Sequence, residues 1–139
     1  MIKTIPRPKA EPMGPCKETG EYIGKLMYSV QCAHKVHLKV TGPGSDAAHR
    51  AIGGYYDGLP DLIDKVAEQY QGAREKLLDI PHVNDNSPIT KEYFMMELKE
   101  LYEETNKLQK IMPFSEVVNQ LDEIKSLIAT TKYKLMFLS

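Results

Sequence analysis

The chain has 139 residues, a net charge of −1 and 42% hydrophobic residues, which suits one domain able to bury a core of its own. No apolar run approaches the roughly 18 residues of a membrane span, and the first residues lack a signal-type apolar segment. A cytoplasmic protein with no membrane contact is therefore expected, its two cysteines, Cys16 and Cys32, forming neither a CxxC pair nor a disulfide framework.

The charge is unevenly placed. Lys3, Arg7, Lys9 and Lys17 stand against Glu11 alone in the first 17 residues, so this end is basic and the remainder acidic. Residues 1–16, "MIKTIPRPKAEPMGPC", hold four prolines and no helical period, and read as a polyproline-like arm. Residues 17–139 read as a helical bundle. The arm is expected to lie on a partner, either DNA through phosphate neutralisation or another protein.

Helical periodicity starts at Lys17. Ile23, Leu26, Val30, Ala33, His37 and Val40 recur at three- and four-residue spacing, which predicts a first helix to about Val40 with Cys32 buried on it. "TGPGS" stops this helix, and Ser45 or Asp46 is expected to cap the next. Ile52, Tyr55, Tyr56, Leu59, Ile63, Val66 and Tyr70 carry the second helix to about Leu78, with a kink or break expected at Pro60. After the irregular "DIPHVNDNSPI", Thr90 caps a third helix striped by Phe94, Leu98, Leu101, Thr105, Leu108 and Met112. Pro113 and Ser115 begin the fourth, striped by Val117, Leu121, Ile124, Ile128, Thr131, Leu135 and Leu138. Methionines 95, 96, 112 and 136 read as core filler. No strand pattern competes, so the fold class is all-α.

Loop lengths select the topology. Short turns join the first helix to the second and the third to the fourth, so each pair must form an antiparallel hairpin. Residues 79–89, extended at ~3.3 Å each, reach ~36 Å, most of a bundle's length. Two antiparallel hairpins with one long crossover is the arrangement of a ferritin-like four-helix bundle.

Three of the four histidines, His34, His37 and His49, flank the Gly-Pro-Gly turn. Downstream, Asp64 and Glu68 lie one helical turn apart. Histidine with carboxylates suits iron, which accepts mixed nitrogen and oxygen ligands. The pair Asp64 and Glu68 is also the ordinary pattern of a solvated helix face, and a histidine on an apolar stripe, as His37 is, is more often a satisfied core residue than a ligand. Geometry limits the metal reading further. His49 and Asp64 are 15 residues apart, ~22 Å along a straight helix. Unless Pro60 folds the helix back, they can share an ion only across two chains related by a two-fold axis.

The segment "HLKVTGPGSDAAHRAIGGYYDGLPDLIDKVAE" resembles the ferroxidase signature of Dps-type mini-ferritins. His37, Gly42 and His49 reproduce that family's spacings, as do Asp64 and Glu68. The family's intervening aspartate is Gly53 here, and Asp57, one turn on, is the candidate substitute. The resemblance is specific over residues 33–72 and also extends to ferritin-like proteins of tailed bacteriophages. It implies an iron site at a two-fold dimer interface, built from His37 and His49 of one chain and Asp64 and Glu68 of the other, with Asp57 as the substitute metal ligand. The implied activity is oxidation of Fe(II), with homo-oligomers of the dimer and possible DNA association through the arm. The alternative is a phage virion structural or assembly protein that keeps the bundle without catalysis. Tyr55 and Tyr56, close in sequence to these ligands, read as core residues, though they could also scavenge oxidising equivalents.

Overall fold

The computed structural model describes residues 15–138, so the arm's residues 1–14 lie outside the described residues. The chain forms α1 (Cys16–His37), α2 (Ser45–Arg74), α3 (Lys91–Ile111) and α4 (Ser115–Phe137), with no strand among the described residues. None of these helices is long and apolar enough to cross a membrane.

The stripes read from the sequence are the faces the bundle buries, except that Leu138 lies exposed beyond the last helix and Val30, His37, Val40 and Tyr56 are half-buried. Ile23 and Leu26 of α1, Ile52, Leu59 and Val66 of α2, Leu98 of α3, and Leu121, Ile124 and Ile128 of α4 are fully shielded. Each such side chain contributes about 1.5–3 kcal/mol by leaving water. Two pairs of hydroxyls that enter this core meet each other. The Tyr22 and Thr105 hydroxyls lie 2.7 Å apart, as do those of Ser29 and Tyr55. Burial pushes both tyrosine hydroxyls well above their ordinary pKa, so they stay neutral.

Helix α1 packs on α2 and α3, and α4 packs on the same two, so α1 and α4 face each other across one diagonal, α2 and α3 across the other. Tyr22, near the start of α1, meets Thr105, near the end of α3, which makes that pair antiparallel. Tyr70 meets Phe114, and Gly58 faces Leu127, so α2 and α4 are antiparallel too. The crossover then has to return along the bundle, and it does. The Asp79 carbonyl lies over Gly20, the Pro81 carbonyl over Gly24, and the Asp85 carbonyl accepts from the Tyr28 hydroxyl at 2.7 Å. Ile89 finishes beside Val36, so the segment spans nearly all of α1. The two-hairpin topology holds.

Several local expectations are corrected. Pro60 neither breaks α2 nor ends it. Its missing donor costs about 3 kcal/mol in a helix interior. Tyr55, Leu59 and Ile63, all buried around it, each return about half that cost or more. Neither Ser45 nor Asp46 caps α2: the N-cap is Gly44 at φ 80, without a side-chain hydrogen bond, and Asp46 instead pairs with Arg50 at 3.0 Å. Helix α1 stops at His37 rather than Val40, and α2 at Arg74 rather than Leu78. The latter end is set by Glu75, left-handed at φ 59, with the Leu78 N–H then captured by the Gln71 side chain at 2.9 Å. Thr90 caps α3 as expected, accepting from the Tyr93 N–H at 3.1 Å. Cys16 and Cys32 are both half-buried free thiols. Of the supposed core methionines, Met112 is buried while Met96 and Met136 are more than half exposed, because they fall off the apolar stripes.

Candidate functional site

The end of α1 and the start of α2 are held together by a symmetric exchange. His37 Nδ1 lies 2.9 Å from the His49 carbonyl oxygen, and His49 Nδ1 lies 2.9 Å from the His37 carbonyl oxygen. A carbonyl can only accept, so Nδ1 carries the proton in each ring and Nε2 is left as its acceptor. The two imidazoles stack with centroids 3.5 Å apart. Two hydrogen bonds of this kind contribute about 0.5–1.5 kcal/mol each, and they close the turn whose positive-φ residues are Gly42 and Gly44.

Around this pair the other aromatic groups gather. His34 stacks on Tyr56 at 4.6 Å, and Tyr56 and His37 lie nearly perpendicular at 5.1 Å. Tyr56 is half-buried in this cluster, whereas Tyr55 points into the core. Gly53 is buried directly against His37: a Cβ built there would sit 3.5 Å from the ring's Cε1 and Nδ1, an ordinary contact. The position that is an aspartate in the mini-ferritin pattern therefore abuts the histidine pair.

The structure brings His34, His37 and His49 together and leaves the carboxylates apart. Asp57, Asp64 and Glu68 are all exposed on α2, successively further from the turn. With α2 unbroken, Asp64 stays ~22 Å from His49 along the axis. Among the described residues, no three His, Cys, Asp or Glu side chains are grouped closely enough to hold a metal ion. Any ion shared by the histidines and these acids would need a second chain. The fourth histidine, His82, belongs elsewhere, exposed on the crossover beside Gly24 and Gln31.

A second constellation went unread in the sequence. It lies under the crossover, in a cavity of about 150 Å³ lined by Lys25, Tyr28, Asp85, Tyr93, Glu97 and Glu100. The Tyr28 hydroxyl donates to the Asp85 carbonyl, lies 2.9 Å from Ser87 Oγ, and accepts the Ser87 N–H at 3.3 Å. Glu97 faces this strap from α3, with one carboxyl oxygen sealed from solvent and lacking a hydrogen-bond partner. Burial chiefly, and then the charges of Glu100 and Asp85, push its carboxyl up to about 7; a hydrogen bond with Cys32 opposes them. Burial likewise pushes the Cys32 thiol up, so it remains protonated at neutral pH. The available signal was Gly20 and Gly24, four residues apart on a helix face that buries Ile23 and Leu26, where only a backbone could dock.

Comparison with known proteins gives the family. Residues 44–135, from the N-cap of α2 almost to the end of α4, match the model of DUF5856, a family of unknown function. The chain is also 30% identical over 122 residues to the uncharacterized 14.6 kDa protein in the mobD-ri intergenic region of Enterobacteria phage T4, covering 88% of this chain and 91% of the phage protein. No solved structure matches the chain. These matches place the chain in the DUF5856 family, with a relative in Enterobacteria phage T4.

Proposed function

We propose that this chain is a phage-encoded structural or assembly protein that keeps the shape of a mini-ferritin subunit and uses its histidines to lock a helical hairpin. The observation that carries this reading is the reciprocal bond between His37 and His49, beside a glycine where the ferroxidase pattern has an acid. Each ring donates its Nδ1 proton to the other residue's backbone carbonyl, and the stacked rings close the α1–α2 turn. The T4 relative supports a phage setting. The lock predicts that His37→Ala and His49→Ala each lower the melting temperature in chelator-treated protein, by the equivalent of about 1–2 kcal/mol. Unchanged melting of both variants in chelator would remove the lock.

One observation favours a second reading, binding of iron between two copies. An Nδ1 anchored on a carbonyl is how a metal-binding imidazole is commonly oriented, and it leaves Nε2 for the ion. Asp57, Asp64 and Glu68 are exposed and could be supplied by a partner chain. If so, His49→Ala and Glu68→Ala should each lose iron uptake, and an equal mixture of the two should recover part of it, since mixed dimers keep one intact site.

A further inference from the structure

We propose that the crossover is a proton-operated latch: its middle section is held against α1 and α3 while Glu97 carries a proton, and loosens when Glu97 loses it. The basis is what surrounds that carboxyl. From the crossover it meets Asp85, whose carboxylate also accepts from the Ser87 hydroxyl at 3.2 Å. From its own helix, Glu100 adds a second negative charge. Helix α1 contributes Tyr28 and Cys32, both neutral at ordinary pH. Among the described residues, the one cation lining the cavity, Lys25, is bonded to Glu104 at 2.8 Å. From α2, Tyr55 lies within electrostatic reach and is neutral, and no α4 side chain lines the cavity.

An ionised Glu97 would thus sit with one sealed, unpartnered oxygen near two like charges, with no free counter-ion lining the cavity among the described residues. The part of the enclosure able to relieve this is the crossover, because α1 and α3 are fixed by the core. The section concerned is tied down by few bonds. Tyr28 supplies the hydroxyl that holds Asp85 and Ser87, and Ser87 reaches Tyr93 only at 3.4 Å. Withdrawing Asp85 from the charge breaks these same contacts, so relief of repulsion and release of the strap are one motion.

The sign follows from linkage. The folded carboxyl titrates near 7 against an ordinary 4.5, so its stabilising effect is complete below the ordinary value and lost as pH rises through about 7. Release belongs to the alkaline side. What opens is the part of α1 around Tyr28 that the Asp85–Ser87 section otherwise covers.

Hydrogen–deuterium exchange on the full chain at pH 5.5 and 8.5 tests this, with rates corrected for intrinsic pH dependence and compared with core amides of α4. Protection in residues 79–89 should fall roughly tenfold at the higher pH, one pKa unit corresponding to a factor of ten and partial solvent screening reducing the full shift. Glu97→Gln should keep protection high at both values, and Asp85→Asn should shrink the difference. Equal protection of the wild-type segment at both pH values overturns the latch. So does an undiminished fall in Glu97→Gln, or in Asp85→Asn should the first variant not fold.

Discussion

Gly20 of α1 and Asp79 of the crossover share a space that admits no side chain: a Cβ on Gly20 would fall on the Asp79 carbonyl. One turn on, a Cβ at Gly24 would come within 2.6 Å of the Pro81 carbonyl, closer than real contacts allow. The long return segment is therefore seated backbone-to-backbone on α1, and a tight seat is what a 16-residue connection without secondary structure of its own requires.

Glycine substitutions should separate this role from ordinary helix propensity. Gly20→Ala is expected to destabilise by about 1–3 kcal/mol, as an overpacked site does, and Gly24→Ala nearly as much. Gly54→Ala, an exposed helical site with nothing within 4 Å, should instead stabilise by about 0.5–1 kcal/mol. Urea denaturation midpoints give the comparison. Stabilisation by Gly20→Ala would mean that the crossover does not sit where it is described.

The buried hydroxyl pair between α1 and α2 should respond asymmetrically. Ser29 Oγ donates to the Leu26 carbonyl at 2.7 Å and meets Tyr55 Oη at the same distance. Ser29→Ala leaves a fully buried phenol without its partner and should cost about 1–3 kcal/mol. Tyr55→Phe removes that hydroxyl while Ser29 keeps its backbone acceptor, so the loss should be smaller, about 0.5–1.5 kcal/mol. Equal losses in thermal denaturation would show that the pair does not act as one bond.

The fold was legible because its signals are periodic and local. Phe94, Leu98, Leu101, Thr105 and Leu108 fall at helical spacing and are buried at helical spacing. The length of the 79–89 link also settled the topology, since extended chain reaches a calculable distance. What stayed hidden depends on elements distant in sequence. Tyr28 meets Asp85 and Ser87 more than 50 residues away, and no period in α1 announces that contact. Gly20 and Gly24 showed only as small residues on a buried face. Pro60 does not break α2: its local cost is real, but the burial of Leu59 and Ile63 that offsets it is tertiary. For the histidines, sequence spacing correctly placed His34, His37 and His49 together. It could not show that two of the rings would hold each other's backbone.

The central claim is that His37 and His49 form a self-contained lock and have no need of iron. Anaerobic titration of Fe(II) into the metal-free wild-type chain, followed by calorimetry beside Gly53→Asp, tests it most directly. The lock predicts no saturable, stoichiometric uptake by the wild type; uptake by Gly53→Asp alone would identify position 53 as the missing ligand, since its carboxylate would enter against His37. Stoichiometric binding by the wild type, abolished by His49→Ala and by Glu68→Ala, would contradict the account and establish the two-chain iron site instead.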